Sequence, residues 1–140
     1  MSRIFWDTHL FIYLWEDYGT LSQAVAELRT KMLRRGDQLL TSTFTLGEIL
    51  VKPASAGNTQ LCRRYEDAIS SVALLVPFDV KVARIYASIR HDRSVKAPDA
   101  IQLASAASIA ADLFITNDGR LQGKRVDGIQ FIVTLDRAPI

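Results

Sequence analysis

Four acidic residues sit where this chain should least tolerate charge. Asp7 ends the apolar run Ile4-Phe5-Trp6, and Glu48 interrupts Leu46-Gly47-Glu48-Ile49-Leu50-Val51. Asp99 opens the alanine-rich stretch Pro98 to Ala104, and Asp118 comes shortly after Leu113-Phe114-Ile115. An unpaired carboxylate beside a core is costly. Carboxylates about 5 Å apart repel by roughly 3 kcal/mol per pair at an effective dielectric near 20, and a hard divalent cation reverses that sign. Such an ion polarises a phosphoryl oxygen and lowers the pKa of a bound water. One carboxylate could then orient or deprotonate that water for in-line attack on a phosphodiester. Each residue also has a plainer reading. Asp99 suits the positive end of a helix dipole, and Asn117-Asp118-Gly119 is a good turn. Glu48 could lie on the solvent face of an amphipathic helix. Asp7 is the hardest to dismiss, because it directly ends an apolar strand.

The surrounding pattern alternates short apolar runs with longer helical ones. Arg3 to Trp6 reads as a strand and Thr8 to Glu16 as a strongly apolar helix. Thr20 to Arg35 is a clearer helix, with Leu21, Val25, Leu28 and Met32 at helical spacing, a Thr20/Gln23 capping box and Gly36 as the stop. Gln38 to Thr41 is a second strand. Ser42 or Thr43 can cap a helix over Phe44 to Val51 that Pro53 ends. Thr59 to Ser70 is helical and Ala73 to Val76 a strand. Asp79 caps a helix bearing Val82, Tyr86 and Ile89. Pro98 starts another helix at a favoured first position, with a small face of Ala100, Ala104, Ala107 and Ala111. Leu113 to Thr116 and Ile129 to Leu135 complete the strands. This alternation predicts an α/β fold of class α/β/α, a three-layer sandwich around a mainly parallel central sheet. In open sheets of this kind, sites form beyond the carboxyl ends of strands at a topological switch point. All four acidic residues can converge there.

The 140 residues are expected to form a single domain, residues 1–140, large enough for a real core. The hydrophobic content of 49 % and charged content of 23 % are those of an ordinary globular chain, with no run long enough to span a bilayer. Met1-Ser2-Arg3-Ile4 lacks the features of a signal peptide, and the lone Cys62 excludes an internal disulfide, so a cytoplasmic location and no membrane partner are expected. The net charge of +2 leaves a larger positive excess outside a cluster of four carboxylates, which suits a polyanionic substrate.

Four segments in order resemble the motifs of the PIN-domain family, most closely its VapC-type ribonuclease toxins. They are Phe5-Trp6-Asp7-Thr8-His9; Thr41-Ser42 with Leu46-Gly47-Glu48-Ile49; Pro98-Asp99-Ala100-Ile101-Gln102-Leu103-Ala104-Ser105-Ala106; and Ile115-Thr116-Asn117-Asp118. The resemblance runs over essentially the whole chain. It implies a PIN-like fold and a Mg²⁺- or Mn²⁺-dependent endoribonuclease that cuts single-stranded RNA. Asp7, Glu48, Asp99 and Asp118 would be its catalytic and metal-binding residues, with Thr8, Thr116 and Asn117 as accessory polar groups. It further implies a toxin role beside a small antitoxin protein.

Arg93 and Lys96 precede Asp99, and Arg120 and Lys124 follow Asp118, so all four are candidates for phosphate contacts with single-stranded or structured RNA. His9 reads as a rim or structural residue, and Trp6, Phe11, Tyr13 and Trp15 as core or interface. The helix after Asp7 is apolar almost all round, which points to a homodimer or another partner covering it. Other readings compete. A receiver-like domain would show an early acidic pair and a late lysine, and neither is present. A phosphatase of the Asp-x-Asp class would need an aspartate where His9 stands. An RNA-processing nuclease without an antitoxin, and a nuclease-like binding or regulatory module, stay open as alternatives.

Overall fold

A computed structural model describes residues 1–140. The chain order is β1 (Arg3–Trp6), α1 (Thr8–Trp15), α2 (Thr20–Arg35), β2 (Gln38–Ser42), α3 (Thr43–Ser55), α4 (Thr59–Val72), β3 (Leu74–Val76), α5 (Val80–Ile89), α6 (Ala97–Ser108), β4 (Leu113–Thr116) and β5 (Phe131–Thr134). Short 3₁₀ turns follow at Gly119–Leu121 and Leu135–Arg137. The five strands form one sheet in the order β3-β2-β1-β4-β5, and every pairing is parallel.

Strand alternation sends successive side chains to opposite faces, and helices cover both. Ile4, Trp6, Leu39, Leu113 and Ile115 pack on one face against Leu10 and Phe11 of α1, Val25, Leu28 and Met32 of α2, and Ile69 of α4. Phe5, Leu40, Phe114 and Ile132 pack on the other face against Ala100, Leu103, Ala106 and Ala107 of α6. In the register of β1 with β4, Phe5 lies opposite Phe114, and their rings stack at 5.3 Å. The small face of α6 lets it approach the sheet closely. At its C-terminal end, Gly128 passes so near Ala107 that an added Cβ would lie 2.7 Å from the Ala107 carbonyl oxygen.

The layers and the parallel sheet therefore match the expectation for an α/β/α sandwich, and several local readings are corrected. Pro53 does not end α3, which continues to Ser55. Proline forfeits its own N–H and crowds the carbonyl four residues earlier, yet its own carbonyl accepts from Asn58 at 2.9 Å and the residue is buried. The capping box at Thr20 does not form, because Gly19 is the N-cap residue and makes no side-chain cap bond. Instead, Ser22 Oγ accepts from the Tyr18 N–H and donates to the Glu16 carbonyl, both at 2.8 Å. Ala97 precedes Pro98 in the first turn of α6, and β5 is shorter than expected at both ends. Gly36 closes α2 in the left-handed conformation, φ 72°, as its position suggested.

Most of the apolar circumference of α1 is covered from within the chain. Leu10, Phe11 and Tyr13 are buried, and Trp15 stacks on Tyr65 of α4 at 5.8 Å. Ile12, Leu14 and Trp15 stay half-buried, whereas Trp6 and Phe11 are core. No helix is long and apolar enough to cross a membrane.

Candidate functional site

The chain runs from β1 outward to β2 and β3, then returns to place β4 on the other side of β1. This is a switch point, and the crevice beyond β1 and β4 is where such folds bind ligands. A pocket of about 470 Å³ lies there, with fourteen lining residues of which one is hydrophobic. Asp7, Glu48, Asp99 and Asp118 all line it, together with Thr8, Thr116 and Asn117. The expected convergence therefore holds at the level of one pocket. The wall carries four carboxylates and only two cations, Lys96 and Arg120, a formal excess of two negative charges.

Asp7 is the most firmly held of the four. Its backbone N–H donates to the Ile115 carbonyl at 3.0 Å, which ties the end of β1 to β4. Its side chain caps α1, with Oδ1 accepting from the Thr8 N–H at 2.9 Å. The Thr116 hydroxyl donates to Oδ2 at 2.8 Å, and Gln102 Nε2 donates to Oδ1 at 3.3 Å. Both carboxylate oxygens are thus oriented by groups from three different elements.

Gln102 is the residue that sequence reasoning missed as a site residue. It is 2 % exposed, in the middle of α6. Its Nε2 reaches Asp7, Thr8 Oγ1 at 3.0 Å and Thr45 Oγ1 at 2.7 Å, and its Oε1 accepts from the Ser42 hydroxyl. Thr41 adds a bond to Thr45 at 2.9 Å and another to the Trp6 carbonyl at 2.8 Å. A layer of five buried polar side chains thereby joins β2, α1, α3 and α6 directly beneath the carboxylates. The signal was present: a lone amide three positions after Asp99, on the same helical face, among alanines.

Asp99 is placed differently. Burial first, then the negative charges of Asp7 and Asp118, push its carboxyl above the usual range. No hydrogen bond from the chain offsets this. Asp118 is the reverse. The Arg120 guanidinium donates to both of its oxygens, at 3.0 and 2.7 Å, and holds its carboxyl below the usual range. Glu48 is exposed on α3, and its Oε1 accepts from the Thr8 hydroxyl at 2.5 Å.

The donor set consists only of oxygens, which suits a hard cation such as Mg²⁺ or Mn²⁺. No three acidic, histidine or cysteine side chains stand close enough to enclose one ion together. Mg²⁺ does not require a protein cage. It typically keeps several waters and takes one or two carboxylates plus phosphate oxygens. Asp7, pre-oriented, and Asp99, unpartnered and repelled by its neighbours, fit that demand.

The other expected residues divide. Thr8 and Thr116 bond to the carboxylates directly, whereas Asn117 donates to the Tyr13 hydroxyl at 2.9 Å. Lys96 and Arg120 line the pocket, and exposed His9 stands at its rim. Arg93 and Lys124 do not line it. Lys124 turns to the segment before α6, donating to Asp92 at 3.2 Å and Ser94 at 2.9 Å. It borders a separate cleft beside α5.

No curated protein matches the chain in sequence. Solved structures resemble its fold. The VapBC2 complex of Rickettsia felis, bound to a DNA fragment from its promoter, has a chain 14 % identical with a TM-score of 0.73, covering 94 % of this chain and 98 % of that one. DNA-bound VapBC of Salmonella typhimurium gives 18 % identity and a TM-score of 0.72, covering 96 % and 99 %. VapBC-5 of Mycobacterium tuberculosis gives 21 % and 0.60, with the same coverage of 96 % and 99 %. The PIN-domain family model matches residues 4–127, a span holding all four acidic positions, and the chain belongs to the PIN-domain family.

Proposed function

We propose that this chain is a Mg²⁺- or Mn²⁺-dependent endoribonuclease that cleaves single-stranded RNA by water attack, and that it acts as the toxin of a toxin–antitoxin pair. The observation that carries the nuclease reading is the gathering of Asp7, Glu48, Asp99 and Asp118 in one polar pocket at the switch point. The solved neighbours are VapBC complexes, and this supports a small antitoxin as partner. Homodimerisation belongs to the same proposal, and light scattering of the purified chain checks it.

Asp7 and Asp99 would hold the cation, with Glu48 and Asp118 completing the acidic set. When bound, the cation supplies charge neutralisation at the phosphoryl oxygens and a more acidic water. The chain's own groups do the rest. Thr116 and Gln102 fix the two Asp7 oxygens, so the carboxylate reaches the transition state already oriented. Asp99 has lone pairs not committed to any protein donor and can accept a proton from a water. Lys96 and Arg120 are placed to contact non-bridging phosphate oxygens. Attack of water on phosphorus with loss of the 3′ oxygen leaves a 5′-phosphate and a 3′-hydroxyl, and no step uses the ribose 2′-hydroxyl.

The test is cleavage of end-labelled single-stranded RNA by wild type and Asp7→Asn, each in Mg²⁺, Mn²⁺ or EDTA. Metal-dependent cleavage with 5′-phosphate ends, absent in the variant, is expected. Metal-independent cleavage that survives in Asp7→Asn would overturn the reading. RNA binding without cleavage would favour the binding-module alternative, for which the Arg120–Asp118 pairing is the favouring observation.

A further inference from the structure

The chain holds three ion pairs, and one of them lies inside the acidic pocket. Arg35–Asp37 and Lys124–Asp92 are elsewhere, whereas Arg120 and Asp118 both line the pocket wall. The pair is two-pronged: Nε donates to Oδ1 at 3.0 Å and Nη2 to Oδ2 at 2.7 Å. The Arg120 backbone N–H adds a third bond to Oδ1 at 3.0 Å. Local geometry produces this clamp. Asp118 caps the 3₁₀ turn Gly119–Leu121, which brings residue 120 back over its carboxylate. A carboxylate offers about four lone-pair sites. Three are taken here by Arg120, leaving little for a cation.

The two partners differ in exposure. The Asp118 side chain is 25 % exposed and that of Arg120 is 66 % exposed. The guanidinium can therefore swing into solvent without disturbing the core, while the carboxylate stays in the pocket. Its planar fork would match a phosphate as well as it matches a carboxylate.

We propose that Arg120 is a resident counter-ion that competes with the divalent cation for Asp118, so that cation entry and release of Arg120 toward an RNA phosphate are one coupled event. The proposal rests on the divalent-cation reading of the pocket. In the cation-free chain the Arg120 guanidinium occupies Asp118, and a cation entering at Asp7 and Asp99 must displace it before Asp118 can join. Once the ion neutralises the pocket, Asp118 no longer needs Arg120.

The test is Mn²⁺ titration calorimetry on metal-free wild type, Arg120→Gln and Arg120→Lys, and on the same Arg120→Gln change in an Asp118→Asn background. Melting curves of each metal-free variant confirm folding, which the exposed position of Arg120 should preserve. Competition makes Arg120→Gln bind Mn²⁺ about two- to fivefold more tightly, the scale of a partly exposed pair. Arg120→Lys keeps the charge and loses the fork, so at least half of that gain on a logarithmic scale is expected. In the Asp118→Asn background the gain should vanish. Equal Mn²⁺ affinity for wild type and Arg120→Gln overturns the proposal. So does a gain that Arg120→Lys abolishes, or one that persists without Asp118, since either would mean long-range charge alone. If wild type and Arg120→Gln both take up no Mn²⁺, the cation site itself fails and the competition with it.

Discussion

The pocket wall and the layer beneath it are built on opposite terms. In the layer, Ser42, Thr41, Thr45, Thr8 and Gln102 are all buried, and each finds a hydrogen-bond partner among the others. On the wall above, Asp99 has no donor from the chain, Asp118 depends on one exposed arginine, and Glu48 hangs from a single hydroxyl. A satisfied buried network is rigid, because loosening any member orphans another. The wall is an under-satisfied cluster of like charges, which suits the cation proposed for it. Helix α6 serves both regions: Gln102 bonds to Asp7 from the layer, and Asp99 faces the pocket with no donor of its own.

The largest effect should come from the residue that joins the two regions. Asp7→Asn removes one charge from the wall and alters an acceptor of the layer, and RNA cleavage in Mg²⁺ should fall on the order of 10³-fold. Single-turnover cleavage rates check it.

Breaking the layer alone comes next. Gln102→Leu keeps the volume approximately and leaves the Ser42, Thr8 and Thr45 hydroxyls short of a partner. Denaturant unfolding should show a loss of about 1–3 kcal/mol. Mn²⁺ affinity should drop about 10- to 100-fold, since Asp7 loses a group that orients it. A loss of stability with unchanged Mn²⁺ affinity would mean that the layer supports the fold and not the site.

The wall should respond in the opposite sense. Asp99→Asn removes a carboxylate that burial and two like charges disfavour. The metal-free protein should gain a few degrees in melting temperature while cleavage falls about 10²-fold. Melting curves in EDTA check the first half of this statement and the RNA assay the second.

The smallest effect is a pair of opposed pH dependences in EDTA. Asp99 titrates above its ordinary value of 3.8 in the folded chain, so the fold binds the extra proton and stability rises as pH falls through that raised value. The deficit of wild type relative to Asp99→Asn should therefore shrink on acidification and close below about 3.8. Asp118 titrates below its ordinary value of 3.8, because Arg120 bonds to its charged form. Its contribution is present above that ordinary value and is lost as pH falls through the depressed one. The advantage of wild type over Asp118→Asn should fade in that lower window. Parallel pH profiles for the two variants would erase the contrast between a repelled and a clamped carboxylate.

Much of the architecture was legible because both periodicities are strong. Ile4-Phe5-Trp6 and Leu113-Phe114-Ile115 could only be buried strands, and Val25, Leu28 and Met32 mark the core face of α2. The four carboxylates were legible because each interrupts or ends an apolar run. The ends of elements were not. Pro53 was read as a stop, but one missing N–H is tolerated when the next turn still finds acceptors. Thr20 does begin α2, but its capping box does not form, and the bonds of Ser22 and Asp17 close the turn instead. Gln102 was invisible as a hub because its partners lie 57 to 95 residues away and meet only across the sheet. Arg93 and Lys124 looked like neighbours of the site by sequence distance, but Lys124 bridges to Asp92 and Ser94 instead.

We propose this wall as a divalent-cation site that the ion itself completes. The most direct measurement is the melting temperature of wild type, Asp7→Asn and Asp99→Asn in EDTA and at saturating Mn²⁺. The expected result is a clear rise with Mn²⁺ in wild type that is largely lost in both variants, since only a folded chain gathers the ligands. Superimposable wild-type curves with and without saturating Mn²⁺ would contradict the claim.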